Sequence, residues 1–213
     1  MSNAPIDVDT AFLEKYQESI NEVFRIYHED INPFIVQFEI LKNEFPIEIQ
    51  NEIRAIYGHL VRASIADNDK DVERNIAKMR SHTKRALFDC FKYSCILISD
   101  KYHAFFERYR GIDLTYINKG HFLHDIQQRY RQATKQLQAA KELELSNASE
   151  DQLVAEYQRA YELFADKQLN EAESDAAFLK HRATRRDLLA IASFVVGAAG
   201  FIYTVLSTAP NFI

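Results

Sequence analysis

No proline stands between Pro46 and Pro210. A proline ring removes a backbone donor and crowds the turn before it, so it breaks helix interiors. A span of this length without one can run as long, uninterrupted helices. The residues that fill it are mostly good helix formers, with Leu, Ala, Glu, Gln, Lys and Arg abundant. No Asn-Gly or Asp-Gly pair marks a hairpin. Hydrophobic residues at 47% and charged residues at 27% are those of a folded chain, not a disordered one. The predicted fold class is all-α: an elongated bundle of four to five long helices, with the last helix continuing into a C-terminal transmembrane segment.

Periodicity divides the chain. Residues 1–8 read as a disordered lead-in and residues 9–179 as a cytoplasmic helical bundle. A first helix starts at an Asp9/Thr10 cap and runs to about Asn43, broken or kinked at Asn32-Pro33. Pro46 opens a second helix, where its missing N–H does no harm. The predicted buried face of that helix is Ile47, Ile49, Ile53, Ile56, Tyr57, Leu60 and Val61. A third helix spans about 71–110. Its patch LFDCFKYSCILI is apolar on most sides and belongs at the centre of the bundle. Gly111 stops it. A fourth covers about His121–Leu145. Ser149 and Gln152 stand in capping-box spacing and start a last helix that meets no stop signal before Pro210. Cys90 and Cys95 lie on different faces of the third helix, as reduced core residues.

The last fifth of the chain predicts location. Lys180, Arg182, Arg185 and Arg186 form a basic juxtamembrane collar over 180–187, followed by a run without charge from Leu188 to Leu206. Its length matches the roughly 17–25 residues needed to span a bilayer core. The net charge is −5. The collar holds four of the positive charges and one negative, so the remainder is more acidic than the whole. An acidic body with a basic collar fits an anionic lipid surface better than nucleic acid. Residues 188–207 are therefore expected to be a transmembrane helix and 208–213 a short tail. The N-terminus lacks the segments of a signal peptide. These features together predict a single-pass protein of the inner, cytoplasmic membrane with its body in the cytoplasm.

One stripe of the last helix carries Ala165, Leu169, Ala172, Ala176, Leu179 and Ala183 at alternating steps of four and three. The spacing passes Arg186 and continues through Ala190, Ser193, Gly197, Gly200, Thr204 and Ser207. Such a stripe packs on a partner helix. Small residues let membrane helices approach closely, so Ala190, Ser193, Gly197, Gly200 and Thr204 are the expected packing face of a homo-oligomer. The first half of the stripe reads either as ordinary bundle core or as an intermolecular coiled coil.

Catalytic signals are sparse. No HExxH, Walker A loop, GxSxG or CxxC occurs. Glu48 and Glu52 share a helix face, but no Glu-x-x-His follows, and His121 and His124 stand three apart without an acidic or cysteine ligand. No metal or cofactor is expected. Two segments echo each other: Gly58-His59-Leu60-Val61-Arg62-Ala63 and Ser81-His82-Thr83-Lys84-Arg85-Ala86 share His-x-x-Arg-Ala. That reads as chance, or as two helices meeting with matched polar faces. The remaining candidates are Arg54 and His59, five apart. A histidine can shuttle a proton, and an arginine can stabilise the charge of a phosphorane-like state. This Arg-x4-His spacing resembles the signature of HEPN-type proteins, small all-α domains many of which are ribonucleases. The resemblance covers about six residues, and Ala55 stands where the family often has a polar residue. It implies that Arg54 and His59 act together at a dimer interface on RNA. The other reading of these residues is a polar helix face.

The expected function is therefore that of a non-enzymatic interaction or effector protein. Its bundle receives a protein partner or signal, and its last helix oligomerises in the membrane. The most concrete form is a phage-defence effector. The alternatives are a tethered HEPN-like ribonuclease and a non-catalytic membrane scaffold.

Overall fold

The structure is a computed structural model and describes residues 10–165 and 168–208. All regular structure among them is helical. The α-helices are α1 (Thr10–Lys15), α2 (Gln17–Ile26), α3 (Asn32–Lys42), α4 (Ile47–Ser64), α5 (Asp69–Arg108), α6 (His121–Leu145), α7 (Glu150–Phe164) and α8 (Gln168–Thr208). A π-helical turn, Tyr27–Ile31, joins α2 to α3, and a 3-10 segment, Leu114–Gly120, precedes α6.

The chain forms two compact units. The first comprises the described residues up to Asp100 together with Arg129–Ala165, and the second Lys101–Gln128 with α8. In the first, α5 is the central element. Val72, Ile76 and Met79 pack with Phe12, Ile20, Val23 and Ile56. Ala86, Cys90 and Leu97 pack with Ile31, Phe34 and Ile49. The other side of α5 places Phe88 against Tyr157 and Ala140, and Cys95 against Ala133 and Ala160. A helix with apolar residues on nearly every side has to be covered on nearly every side. Cys90 and Cys95 are free thiols in two separate clusters. In the second unit, Phe105, Tyr109, Leu114, Ile117, Phe122 and Ile126 close on Ala172 and Ala176 of α8.

Helix boundaries follow local chemistry. Ser149 accepts from the Gln152 N–H while the Gln152 side chain accepts from the Ser149 N–H, so the capping box forms. Gly111 takes φ +80°, the left-handed value that ends α5. Pro33 does not break the chain. The preceding turn widens to π geometry, with the Asn32 N–H bonding the Tyr27 carbonyl, which gives the ring room where an α-turn would clash.

Four expectations are corrected. The first predicted helix is interrupted at Tyr16, between α1 and α2, as well as at the π-turn. The buried face of α4 is rotated. Ile49, Ile56, His59 and Ala63 are buried, while Ile47, Tyr57 and Val61 are exposed, because the 49–56–59–63 stripe meets α5 and the other three lie outside it. The last helix is not continuous from Glu150. It ends at Phe164, and Ala165 takes a non-helical φ of −74° and ψ of 17° without any proline or glycine to signal it.

The fourth correction concerns location. Among the described residues, no helix is long and apolar enough to cross a membrane, which overturns the expected single-pass placement in the inner membrane. The expected lead-in and the tail from 209 onward lie outside the described residues.

Candidate functional site

Two regions hold the residues singled out in the sequence. The first is a polar seam between α4 and α5. His59 occupies a core position of α4, one step along the stripe from Ile56. Its Nδ1 lies 2.9 Å from Asn75 Oδ1. The Asn75 amide is oriented by its Nδ2–H, which donates to the Asp71 carbonyl at 2.8 Å. Asn75 therefore presents an acceptor, and His59 Nδ1 carries the proton and donates. The Arg62 guanidinium also stands 3.2 Å from that nitrogen. Burial lowers the pKa of His59. Its bond to Asn75 opposes that shift, while Arg62, His82 and Lys78 reinforce it. The net result is a neutral imidazole near pH 7.

The His82 ring stacks on His59, with centroids 5.2 Å apart and planes 19° from parallel. His82 Nδ1 is 2.6 Å from Glu52 Oε2. The repeated His-x-x-Arg-Ala segments thus lie on helices that meet at their histidines. Arg54 is exposed and donates to Asn51. The two residues of the Arg-x4-His pair therefore have different partners: one in the buried seam, the other on the surface.

Beside this seam lies a group of charges that sequence reading missed. Glu144 of α6 accepts from Lys92 at 3.1 and 3.2 Å and from the Tyr157 hydroxyl. Burial opposes ionisation of Glu144, but the Tyr157 and Lys92 bonds hold its carboxyl below the ordinary range. Burial pushes the Asp89 carboxyl up to about 6; Lys92 opposes this, and the charges of Glu144, Glu52 and Glu48 add to it. Glu48 bonds Tyr93, which lowers the Glu48 pKa. The signal was present in LFDCFKYSCILI: Asp89 and Lys92 are charges inside an otherwise apolar run, and buried charges need partners. Among the described residues, no cluster of three or more His, Cys, Asp or Glu could hold a metal ion. His121 and His124 are exposed.

The second region is the end of α8. Its stripe is anchored by Ala172 and Ala176, both buried, with Leu169 and Leu179 packed beside them. From Leu169 to Leu179 the stripe is thus core of the second unit, while Ala165 is exposed at the end of α7 and is no part of α8. Of the expected collar, Lys180 is tied down: its Nζ donates to the Arg108 carbonyl at 2.9 Å and lies over the Tyr109 ring at 5.8 Å. Arg182, Arg185 and Arg186 are exposed. Beyond them Leu188, Leu189, Ile191, Phe194, Val195, Val196 and Phe201 are all exposed, Phe194 to 77%. Ala190 and Ser193 are exposed between them. A Cβ placed at Gly197 or Gly200 meets no atom within 4 Å. The side chain of Thr204 lies outside the described residues. No protein-family model, curated protein or solved structure matches this chain.

Proposed function

We propose that this chain is a non-enzymatic helical interaction protein that self-associates through the apolar end of α8. The observation that supports it is the set of large apolar side chains from Leu188 to Phe201, exposed on every side of one helix. A helix that is apolar all round is stable in a folded assembly only when something covers it. Exposed patches of this size mark interaction sites. A second copy of the same helix fits this surface. The small residues Ala190, Ser193, Gly197 and Gly200 repeat at threes and fours, a spacing that lets two like helices pack along one seam. The basic residues Arg182, Arg185 and Arg186 precede the seam and keep its start hydrated. In the reading we favour, the bundle of the first unit carries the partner-binding role.

The ribonuclease alternative receives less support. It requires Arg54 and His59 to act together, whereas His59 is buried and bonded to Asn75 while Arg54 bonds Asn51 on the surface.

Sedimentation velocity of the full chain tests the proposal. Wild type is expected to run as a dimer or larger species at tens of micromolar, and the double variant Phe194→Glu/Gly197→Glu as a monomer with unchanged helical content. A monomeric wild type would overturn it. The same preparations are to be incubated with RNA. Cleavage that is lost in Arg54→Ala would replace the non-enzymatic reading with the nuclease one.

A further inference from the structure

The π-turn Tyr27–Ile31 builds a second, unrelated feature. Between this turn, the start of α3, the middle of α5 and the end of α7 lies a half-open cleft of about 240 Å³. It is just below the roughly 300–1,000 Å³ of drug-sized ligand pockets, a size for a small molecule. Its composition is one-sided. Glu29 and Asp30 line it, no Lys, Arg or His does, and three aromatic rings, Phe34, Phe91 and Tyr161, complete its walls. The Phe91 and Tyr161 rings already pack on each other at 5.5 Å.

The two carboxylates are not evenly matched by cations. Glu29 is paired with Arg25 at 2.8 Å. Asp30, at the rim, has no ion-pair partner among the described residues. Pro33 also lines the cleft. It has no N–H to give. Burial raises the pKa of Asp30, and the neighbouring Glu29 adds to the shift while Arg25 opposes it. A nearby cation would relieve that cost. Cys90 is in the wall. Its thiol is pushed up by burial and by the charges of Asp89 and Asp30, so it contributes a neutral surface and no nucleophile. π-turns recur where a helix is reshaped for a functional site.

We propose that this cleft binds a small organic cation, an ammonium on a short aromatic body, with the Asp30 carboxylate as its counter-ion and Phe34, Phe91 and Tyr161 around its apolar part. Aromatic faces attract ammonium groups, and do so more strongly when water is excluded.

Phenethylamine is the probe, titrated into the full chain by calorimetry and by amide NMR. The expected result is saturable binding with shifts confined to Glu29–Phe34 and to residues around Phe91 and Tyr161. The uncharged analogue 2-phenylethanol should bind at least about tenfold more weakly. Asp30→Asn should weaken phenethylamine by roughly ten- to a hundredfold, the scale of one hydrogen bond to a charged group. Glu39→Gln, elsewhere on α3, should leave binding unchanged. Circular dichroism confirms that each variant is folded. Equal binding of the alcohol, an unaffected Asp30→Asn, or absence of saturation would each overturn the proposal.

Discussion

The imidazoles of His59 and His82 stack at 5.2 Å, with their planes 19° apart. One ring is held by Asn75 and the other by Glu52. Two histidines from different helices therefore share a seam that is polar at its edges and packed at its centre. The pairing places α4 on α5 at a defined register, because a shift of either helix by one residue would separate the rings.

The seam should make stability depend on pH. The fold favours neutral His59, whose pKa burial lowers, while the unfolded chain takes up a proton near 6.5. The unfolded state then binds more protons as pH falls below 6.5. The contribution is fully present above that value and is lost as pH drops toward the folded one. His59→Gln should cost about 1–2 kcal/mol at pH 7.5, and its deficit relative to wild type should shrink at pH 5.5. Urea unfolding at the two pH values measures both.

Asp89 acts in the opposite sense. Its carboxyl is raised from 3.8 to about 6, so the fold holds a proton there that the unfolded chain has released. Stability from this group is present below about pH 4 and is lost as pH rises through 6. Asp89→Asn should therefore stabilise the protein at pH 7.5 by roughly 1–3 kcal/mol. The gain should vanish at pH 4. Thermal melts of the two proteins across that range check it.

Tyr157 is fully buried, stacks on Phe88 at 5.9 Å and donates to Glu144. Tyr157→Phe keeps the stack and removes the donor. A loss of about 1–2 kcal/mol is expected. Tyr157→Ala should lose about 3–5 kcal/mol, because it also opens a cavity in the core. Chemical denaturation of both variants separates the hydroxyl from the ring.

Ala176 has no exposed surface and lies among Phe105, Tyr109 and Phe122. Ala176→Leu overfills that space and should destabilise by about 1–3 kcal/mol. Ala177→Leu, one residue on and exposed, should change stability by less than about 0.5 kcal/mol. Hydrogen exchange at α8 amides would report the difference locally.

The sequence by itself determined the helical class and most helix ends. Those features are local: proline placement, Gly111, the Ser149–Gln152 box and the 3.6-residue period act within a turn or two of chain. The same locality made the centrality of α5 legible, since an all-round apolar patch must be covered whatever covers it. The matching polar faces of His59 and His82 were visible as a repeated motif, although whether the helices meet there was not. Tertiary structure decided the rest. It rotated the buried face of α4 so that His59 went in and Tyr57 and Val61 went out, because burial depends on which neighbour a stripe meets and not on its hydropathy alone. It ended α7 at Phe164, where no residue type marks a stop. It spent Lys180 on the Arg108 carbonyl and the Tyr109 ring, and it replaced the expected membrane span with an exposed apolar helix end. Pairing of Lys92, Glu144 and Tyr157, and the burial of Asp89 beside them, also belong to this level, since their electrostatics exist only once α5, α6 and α7 are brought together.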